Sequence, residues 1–220
     1  MQKREQWGDV VLYGDCDIGE GTYIGDHVVV GHPGKGNRDL LVSGRASGSN
    51  GAKVGRDCVL RAHGVLYEDA VLGDKVQTGH HWLVRESTTV GDGTLIGSGV
   101  IVDDKCRIGR GVSVQSGVYI PTGSVIGDRV FLGPRVCLTN DKYMGRGEVV
   151  LEGVVIEEGA RLGANCTVLP GVVIGADALV GSGAVVTRDV GAGKVVAGVP
   201  ARERGDVPPE HRRVPVGGVG

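Results

Sequence analysis

Histidines and carboxylates recur in this sequence at intervals of 18. His63 and His81 are 18 residues apart, and His27 joins them at the same interval if the stretch from Gly36 to Lys53 is set aside as an excursion. His80 stands beside His81. Imidazoles in register could hold a metal, shuttle a proton near neutral pH, line a cleft, or form no more than an exposed polar ladder. A second series, His32, Glu68, Glu86, Asp104, Thr122 and Asn140, keeps the same spacing with the same excursion removed. Stacked carboxylates repel one another unless cations neutralise them, and Arg61 and Arg85 are near in sequence. The first reading of this series is a solvated charged face. The second is a surface on which Arg61, Arg85 or Glu86 recognises a sugar or a nucleotide.

An interval of 18 needs an element that returns to the same place every 18 residues. Aliphatic residues supply it at one third of that interval. From Val54 to Leu138, stepping by six, every residue is Val, Ile or Leu except Thr78. Leu12, Ile18, Ile24 and Val30 precede the run, and Val150, Ile156, Leu162, Val168, Ile174, Val180 and Val186 resume it. Four residues after many of these sits a small or β-branched residue, such as Cys58, Ala70, Cys106 or Val112. A period of six is neither helical nor a plain strand alternation. It suits a short strand and a tight turn, repeated three times to close a triangular coil. Gly (41) and Pro (8) make 49 of 220 residues, and aromatics only 4%. Glycines at the corners and a core too narrow for many rings explain both. Thr78 and Trp82 break the pattern together, which reads first as an exchange of volume inside the coil and second as Trp82 pointing outward to stack on a ring. Cys58, Cys106 and Cys166 occupy the small inward slot, so burial is their role and not a catalytic thiol.

Net charge is −2, with Lys and Arg at 24 against Asp and Glu at 26, so no positive field suggests a nucleic-acid partner. No apolar run approaches the roughly 18 residues that span a bilayer, so no membrane partner is expected. Met1–Gln6 has no apolar stretch of the secretory kind behind its cations. Five cysteines without a Cys-x-x-Cys pair fit a reduced, cytoplasmic protein. The expected organisation is one all-β domain over 1–201, with loops at 36–53 and 141–149, and a flexible tail over 202–220. The length of 36–53 also permits a degenerate extra coil.

The pattern [LIV]-[Gly/Asp/Glu]-x-x-[small]-x resembles that of the hexapeptide-repeat acyltransferases. The resemblance implies a left-handed parallel β-helix, active as a homotrimer with sites between subunits. The ending, Val180-Gly-Ser-Gly-Ala-Val-Val-Thr-Arg-Asp-Val190 followed by Ala197-Gly-Val-Pro-Ala-Arg202, is similar to that of members using acetyl-CoA. Carried over by motif, Ala164 and Ser182 contact the pantetheine arm and thioester, Thr187 and Arg188 the nucleotide end, and Pro200, Ala201 and Arg202 the adenine. Small residues let an extended chain approach the backbone, and Arg suits phosphate.

For the acceptor, the segment Phe131 to Tyr143, with Thr139-Asn-Asp-Lys-Tyr143, and Val114-Gln-Ser-Gly-Val-Tyr119 upstream, resembles the branch that N-acetylates nucleotide-linked 3-amino sugars and amino-sugar acids. The resemblance implies that Asn140 and Gln115 lie near the acceptor, with Asp141 and Tyr143 beside them. The alternative for Asn140 and Asp141 is the capping of a turn. An amine fits on chemical grounds: near electron-withdrawing groups it titrates at about 7.7–8.0, and so needs positioning more than a strong base. The implied activity is acetyl transfer to a UDP- or dTDP-linked amino sugar, with Asn140 and His80 or His81 as catalytic candidates. The enzymatic rival is O-acetylation of a sugar with His80 or His81 as base. Rivals of other classes are a non-catalytic β-helix scaffold and a γ-type carbonic anhydrase. The β-helical anhydrases hold zinc through two His about five residues apart and a distant third, a pair this sequence lacks, so no metal is expected.

Overall fold

A computed structural model describes residues 7–212 of the chain. The residue pattern becomes a three-sided prism in which nearly every strand is two residues long, and each pairs in parallel with the strand one turn on, as Leu83 and Val84 do with Ile101 and Val102. The three sheets hold nine, eight and ten strands. We call them the first face (opening with Val10–Leu12), the second (Asp17–Ile18) and the third (Tyr23–Ile24). The first corner joins faces one and two, the second joins two and three, and the third returns to face one. This is an all-β parallel solenoid, consistent with the left-handed β-helix.

The every-sixth aliphatics point inward as one column per face. Leu60, Leu66, Val84, Ile96, Ile120, Leu138, Leu162 and Val168 have no exposed surface, and the small slots, among them Cys58, Cys106 and Cys166, are equally closed. Burial pushes the Cys106 and Cys166 thiols up, to about 11 and about 12, so neither is a thiolate near neutrality. Thr78 and Trp82 exchange volume as expected. Trp82 is 1% exposed, a Cβ on Gly64 would overlap its indole, and its Nε1 donates to Arg61 O at 3.0 Å.

Both excursions leave at the first corner. Between Val28–His32 and Lys53–Val54 the chain forms a short helix, Arg38–Val42, flanked by single 3-10 turns; it is an outward loop, not a degenerate coil. Its 18 extra residues account for the register, since Val29 pairs with Val65 and Ile18 with Val54. The second excursion runs on to Gly153, because Val150 is 64% exposed and the strands resume at Val155–Ile156. Val150 is therefore not a rung, in contrast to its place in the six-residue series. The tail also differs from expectation. Arg202–Asp206 is a strand, antiparallel to Lys194–Ala197, and closes the end of the third face. Lys194 clamps it through Glu203 and Asp206 at 3.0 and 2.8 Å. The rest of the expected tail, 213–220, lies outside the described residues. Among the described residues no helix is long and apolar enough to cross a membrane.

Candidate functional site

The first corner carries side chains where the other corners carry mostly glycine. After each inward aliphatic of the first face come Tyr67-Glu68, Arg85-Glu86, Asp103-Asp104, Pro121-Thr122 and Thr139-Asn140. They form a linked column. Arg85 donates to both oxygens of Glu86 at 3.1 and 2.7 Å and lies 3.8 Å from Asp103. Tyr119 Oη donates to Asp103 at 2.6 Å, and Thr122 Oγ1 to Asp104 at 2.6 Å. Asn140 Nδ2 reaches Thr122 O at 3.4 Å. Tyr67 lies under the Arg85 guanidinium at 5.8 Å and against His32 at 4.8 Å. Burial works against the Arg85 charge, but Glu86 and Asp103 outweigh it and hold its pKa above the usual value. Burial, then the bond to Asp103, pushes the Tyr119 phenol up, so it remains a donor.

The column is not the solvated face that its charges suggest. Glu68 is 3% exposed. Its carboxylate accepts from Gly34 N at 2.6 Å, Asn37 Nδ2 at 2.9 Å, and Ser49 Oγ and Asn50 N at 3.3 Å. One side chain thus ties both ends of the first excursion. Burial alone would raise its pKa; the four donors outweigh burial and hold it low. Lys35 N donates to Glu86 at 3.3 Å, so the excursion covers the upper column and leaves Asp104, Thr122 and Asn140 below it.

Asn140 is half-buried, and its carbonyl accepts from Glu152 N at 2.9 Å, closing the neck of the second excursion. Asp141 spends both oxygens on the turn that follows, accepting from Tyr143 N at 2.9 Å and Gly145 N at 2.7 Å. It positions this loop, as the turn-capping alternative expects. Tyr143 is 62% exposed.

The third corner holds the remaining acceptor candidates. His80, Ser98, Ser116, Pro134, Ala164 and Ser182 occupy one step of successive turns. His27, His63 and His81 stack one step further on, with ring centroids 5.1 and 4.7 Å apart. All three take left-handed φ values of 58°, 63° and 54°, a conformation the corner imposes. Among the described residues the His80 and His81 side chains have no hydrogen-bond or ion-pair partner, so nothing orients either as a base. Arg61 is engaged locally, donating to Thr78 O at 2.5 Å. Gln115 donates to Ser113 Oγ at 2.8 Å. Within one chain, Asn140, Asp141, Tyr143, Arg85 and Glu86 line one long edge of the first face, and Gln115, His80, His81, Arg61, Ala164 and Ser182 the other. The two groups do not meet. Among the described residues no group of three or more His, Cys, Asp or Glu could hold a metal ion.

At the C-terminal end of the prism a cleft of about 350 Å3 is lined by Thr187, Arg188, Ala201 and Arg202, together with Asp189, Lys194 and Glu203. Four of the residues carried over by motif therefore share one cavity. Pro200 adjoins it in sequence, and Ala201 N donates to Val185 O at 2.8 Å. Sequence reasoning missed Lys194, which lies after the repeats end and whose charge is reinforced by Asp206 and Glu203. It also missed Tyr119–Asp103, a pair formed between neighbouring turns, 16 residues apart in the chain.

Two family models match the chain, bacterial transferase hexapeptide (six repeats) over 153–188 and hexapeptide repeat of succinyl-transferase over 87–121. By sequence the chain matches none of the curated proteins compared. Among solved structures it is similar to the UDP-N-acetylglucosamine acyltransferase of Francisella novicida, with 18% identity, a TM-score of 0.72, and coverage of 90% of this chain and 68% of that one. The UDP-N-acetylglucosamine acyltransferase of Campylobacter jejuni gives 12% and 0.60, with 91% and 73% covered. The polySia-specific acetyltransferase NeuO gives 15% and 0.54, with 89% and 81% covered. The likeness to these structures is one of fold.

Proposed function

We propose that this chain, a solenoid of transferase hexapeptide repeats, moves an acetyl group from acetyl-CoA to the amine of a UDP- or dTDP-linked amino sugar, a 3-amino sugar or sugar acid. The observation that carries the reading is the terminal cleft. It gathers Thr187, Arg188, Ala201 and Arg202, of which Arg188 and Arg202 are cations suited to the phosphates of a nucleotide tail, while Lys194 beside them is held by Glu203 and Asp206. From there the small residues Ser182 and Ala164 lead up the third corner, where an extended thiol arm can lie close to the backbone. The related folds named above act on UDP-N-acetylglucosamine and polysialic acid, which supports a sugar acceptor.

The split of the site over two edges of the first face supports assembly between copies. Outward on that face stand Val11, Val29, Val65, Leu83, Ile101, Tyr119, Cys137, Thr167 and Val185, all but Thr167 apolar or aromatic, with Val11 and Ile101 each 42% exposed. An apolar sheet face of this length favours a second subunit. In the trimer we infer, the first corner of one copy lies against the third corner of the next, bringing Asn140 towards Gln115, Ala164 and Ser182.

In the reaction the amine nitrogen bonds to the thioester carbon, the carbon–sulfur bond breaks, and the nitrogen loses a proton. Negative charge gathers on the carbonyl oxygen, where the Asn140 amide can donate. Thr122 and Asp104 brace that amide from behind. An unprotonated amine needs no strong base, in keeping with His80 and His81, whose side chains have no hydrogen-bond or ion-pair partner among the described residues. The test is release of free CoA thiol with acetyl-CoA and a UDP- or dTDP-3-amino sugar, set beside the matching hydroxyl sugar. Turnover of the amine alone is expected; turnover of the hydroxyl alone overturns the amine reading.

A further inference from the structure

The acceptor read above has a nucleotide half that the first corner cannot seat. Among the described residues Glu86, Asp103 and Asp104 there form ion pairs only with Arg85 and Lys105, so a diphosphate laid along the column meets like charge. The second excursion offers the opposite environment one residue beyond Asn140. Its exposed residues Lys142, Tyr143, Met144, Arg146 and Gly147 line an open hollow of about 760 Å3. Among the described residues neither Lys142 nor Arg146 is paired with a carboxylate. The Lys142 ammonium instead lies 5.6 Å from the centre of the Tyr143 ring. Tyr143 and Met144 are 62% and 85% exposed, although large apolar side chains gain by burial. The loop is nonetheless built to a shape: Asp141 accepts from two of its amides, and Arg146 N donates to Tyr143 O at 3.2 Å.

We propose that this loop seats a nucleoside diphosphate, with Tyr143 and Met144 against the base and Lys142 and Arg146 on the two phosphates. A flat ring gains from an aromatic face, and adjacent phosphates from two cations that no carboxylate among the described residues neutralises. The inference rests on the reading that the acceptor is a nucleotide sugar. Because the acceptor and CoA both contain a nucleoside diphosphate, the test separates them.

Calorimetric titration of UDP, dTDP and CoA into the full-length wild type, the double variant Lys142→Met/Arg146→Met, Tyr143→Ala and Tyr143→Phe makes that separation. The double variant is expected to bind UDP or dTDP at least tenfold more weakly and CoA as the wild type does. Tyr143→Ala should lose several-fold and Tyr143→Phe almost nothing, with melting temperatures unchanged because the loop is exposed. Loss of CoA affinity with UDP and dTDP unaffected overturns the proposal in favour of donor binding. Equal UDP and dTDP affinity in all variants overturns it while leaving a nucleotide acceptor intact. If neither nucleotide binds the wild type and a free amino sugar is acetylated, the nucleotide acceptor fails as well.

Discussion

The second and first corners of the prism make the same turn from the same six-residue repeat, yet they are built from different residues. At the second corner the step after the inward aliphatic is Gly at 55, 73, 91, 109, 127 and 175. A Cβ on Gly91 would lie 2.6 Å from the carbonyl carbon of Gly109, so successive turns touch backbone to backbone. The next step is a rail of charges in which Asp74 accepts from Arg56 N at 2.8 Å and Asp128 from Arg110 N at 2.8 Å, with Arg129 paired to Glu158 across the turns. At the first corner the same position is Gly at 31 but holds Tyr67, Arg85, Asp103, Pro121, Thr139, Leu169 and Thr187 below it, and both excursions depart there. A solenoid corner is free to carry chemistry only where it gives up this close backbone contact. The third corner lies between the two, glycine-lined except at Arg61 and Gln115.

The sharpest way to break the comparison is to exchange the roles. Gly91→Ala should cost about 3 kcal/mol, because backbone atoms of the next turn must move, and a denaturant titration would read it. Leu169→Ala, at the corresponding step of the first corner, should cost no more than about 0.5 kcal/mol as an exposed change. Equal costs would remove the distinction between the corners. In catalysis the asymmetry should reverse. Asn140→Ala should lower turnover about 100-fold, the effect of losing one donor to a developing oxyanion, with the melting temperature hardly changed. Steady-state kinetics with the amino sugar checks it, and full activity removes Asn140 from the site.

What could be read from the sequence divides along the same line. The solenoid follows from period alone, because each rung of the series packs against the rung 18 residues on and local order determines global order. Ile96, Val114 and Leu132 needed nothing but spacing to be placed. Glu68 was misread for the same reason: its column is set by period, but its burial is set by Gly34, Asn37 and Ser49, which belong to an excursion without a period. The Pro/Gly-rich, charged composition of 202–220 points to a loose tail, but pairing with Lys194–Ala197 makes Arg202–Asp206 a strand. Asp141 shows what a motif does not carry: its carboxylate serves the turn of its own loop.

A smaller effect is expected at the far end of the prism. Arg188→Ala should weaken acetyl-CoA about tenfold, the loss of one charge-assisted bond to phosphate, and leave acceptor affinity alone. Equilibrium binding of CoA to the variant reads this directly. Unchanged affinity would mean that the terminal cleft is another structural end-cap, closer in kind to the second corner than to the first.

The smallest effect tests whether the first excursion belongs to the functional corner or merely rests on it. Glu68 has its pKa held below the ordinary glutamate range of about 4.3 by the donors of the loop it ties. A carboxyl whose folded pKa is depressed contributes stability above its unfolded value, and that contribution is lost as pH falls through the folded one. The excursion should therefore stay closed from neutrality to about pH 4.3 and loosen below it, while the solenoid, whose core is aliphatic, persists. Hydrogen exchange of residues 34–50 against pH, compared with that of residues 95–138, would show protection lost first in the excursion. In Glu68→Gln one of the two accepting oxygens becomes a donating NH2 that faces loop donors, so the same segment should exchange faster already at neutral pH and lose the acid dependence. Identical exchange in both proteins would mean that the loop is held by its backbone turns, and the first corner would then owe its shape to the coil alone.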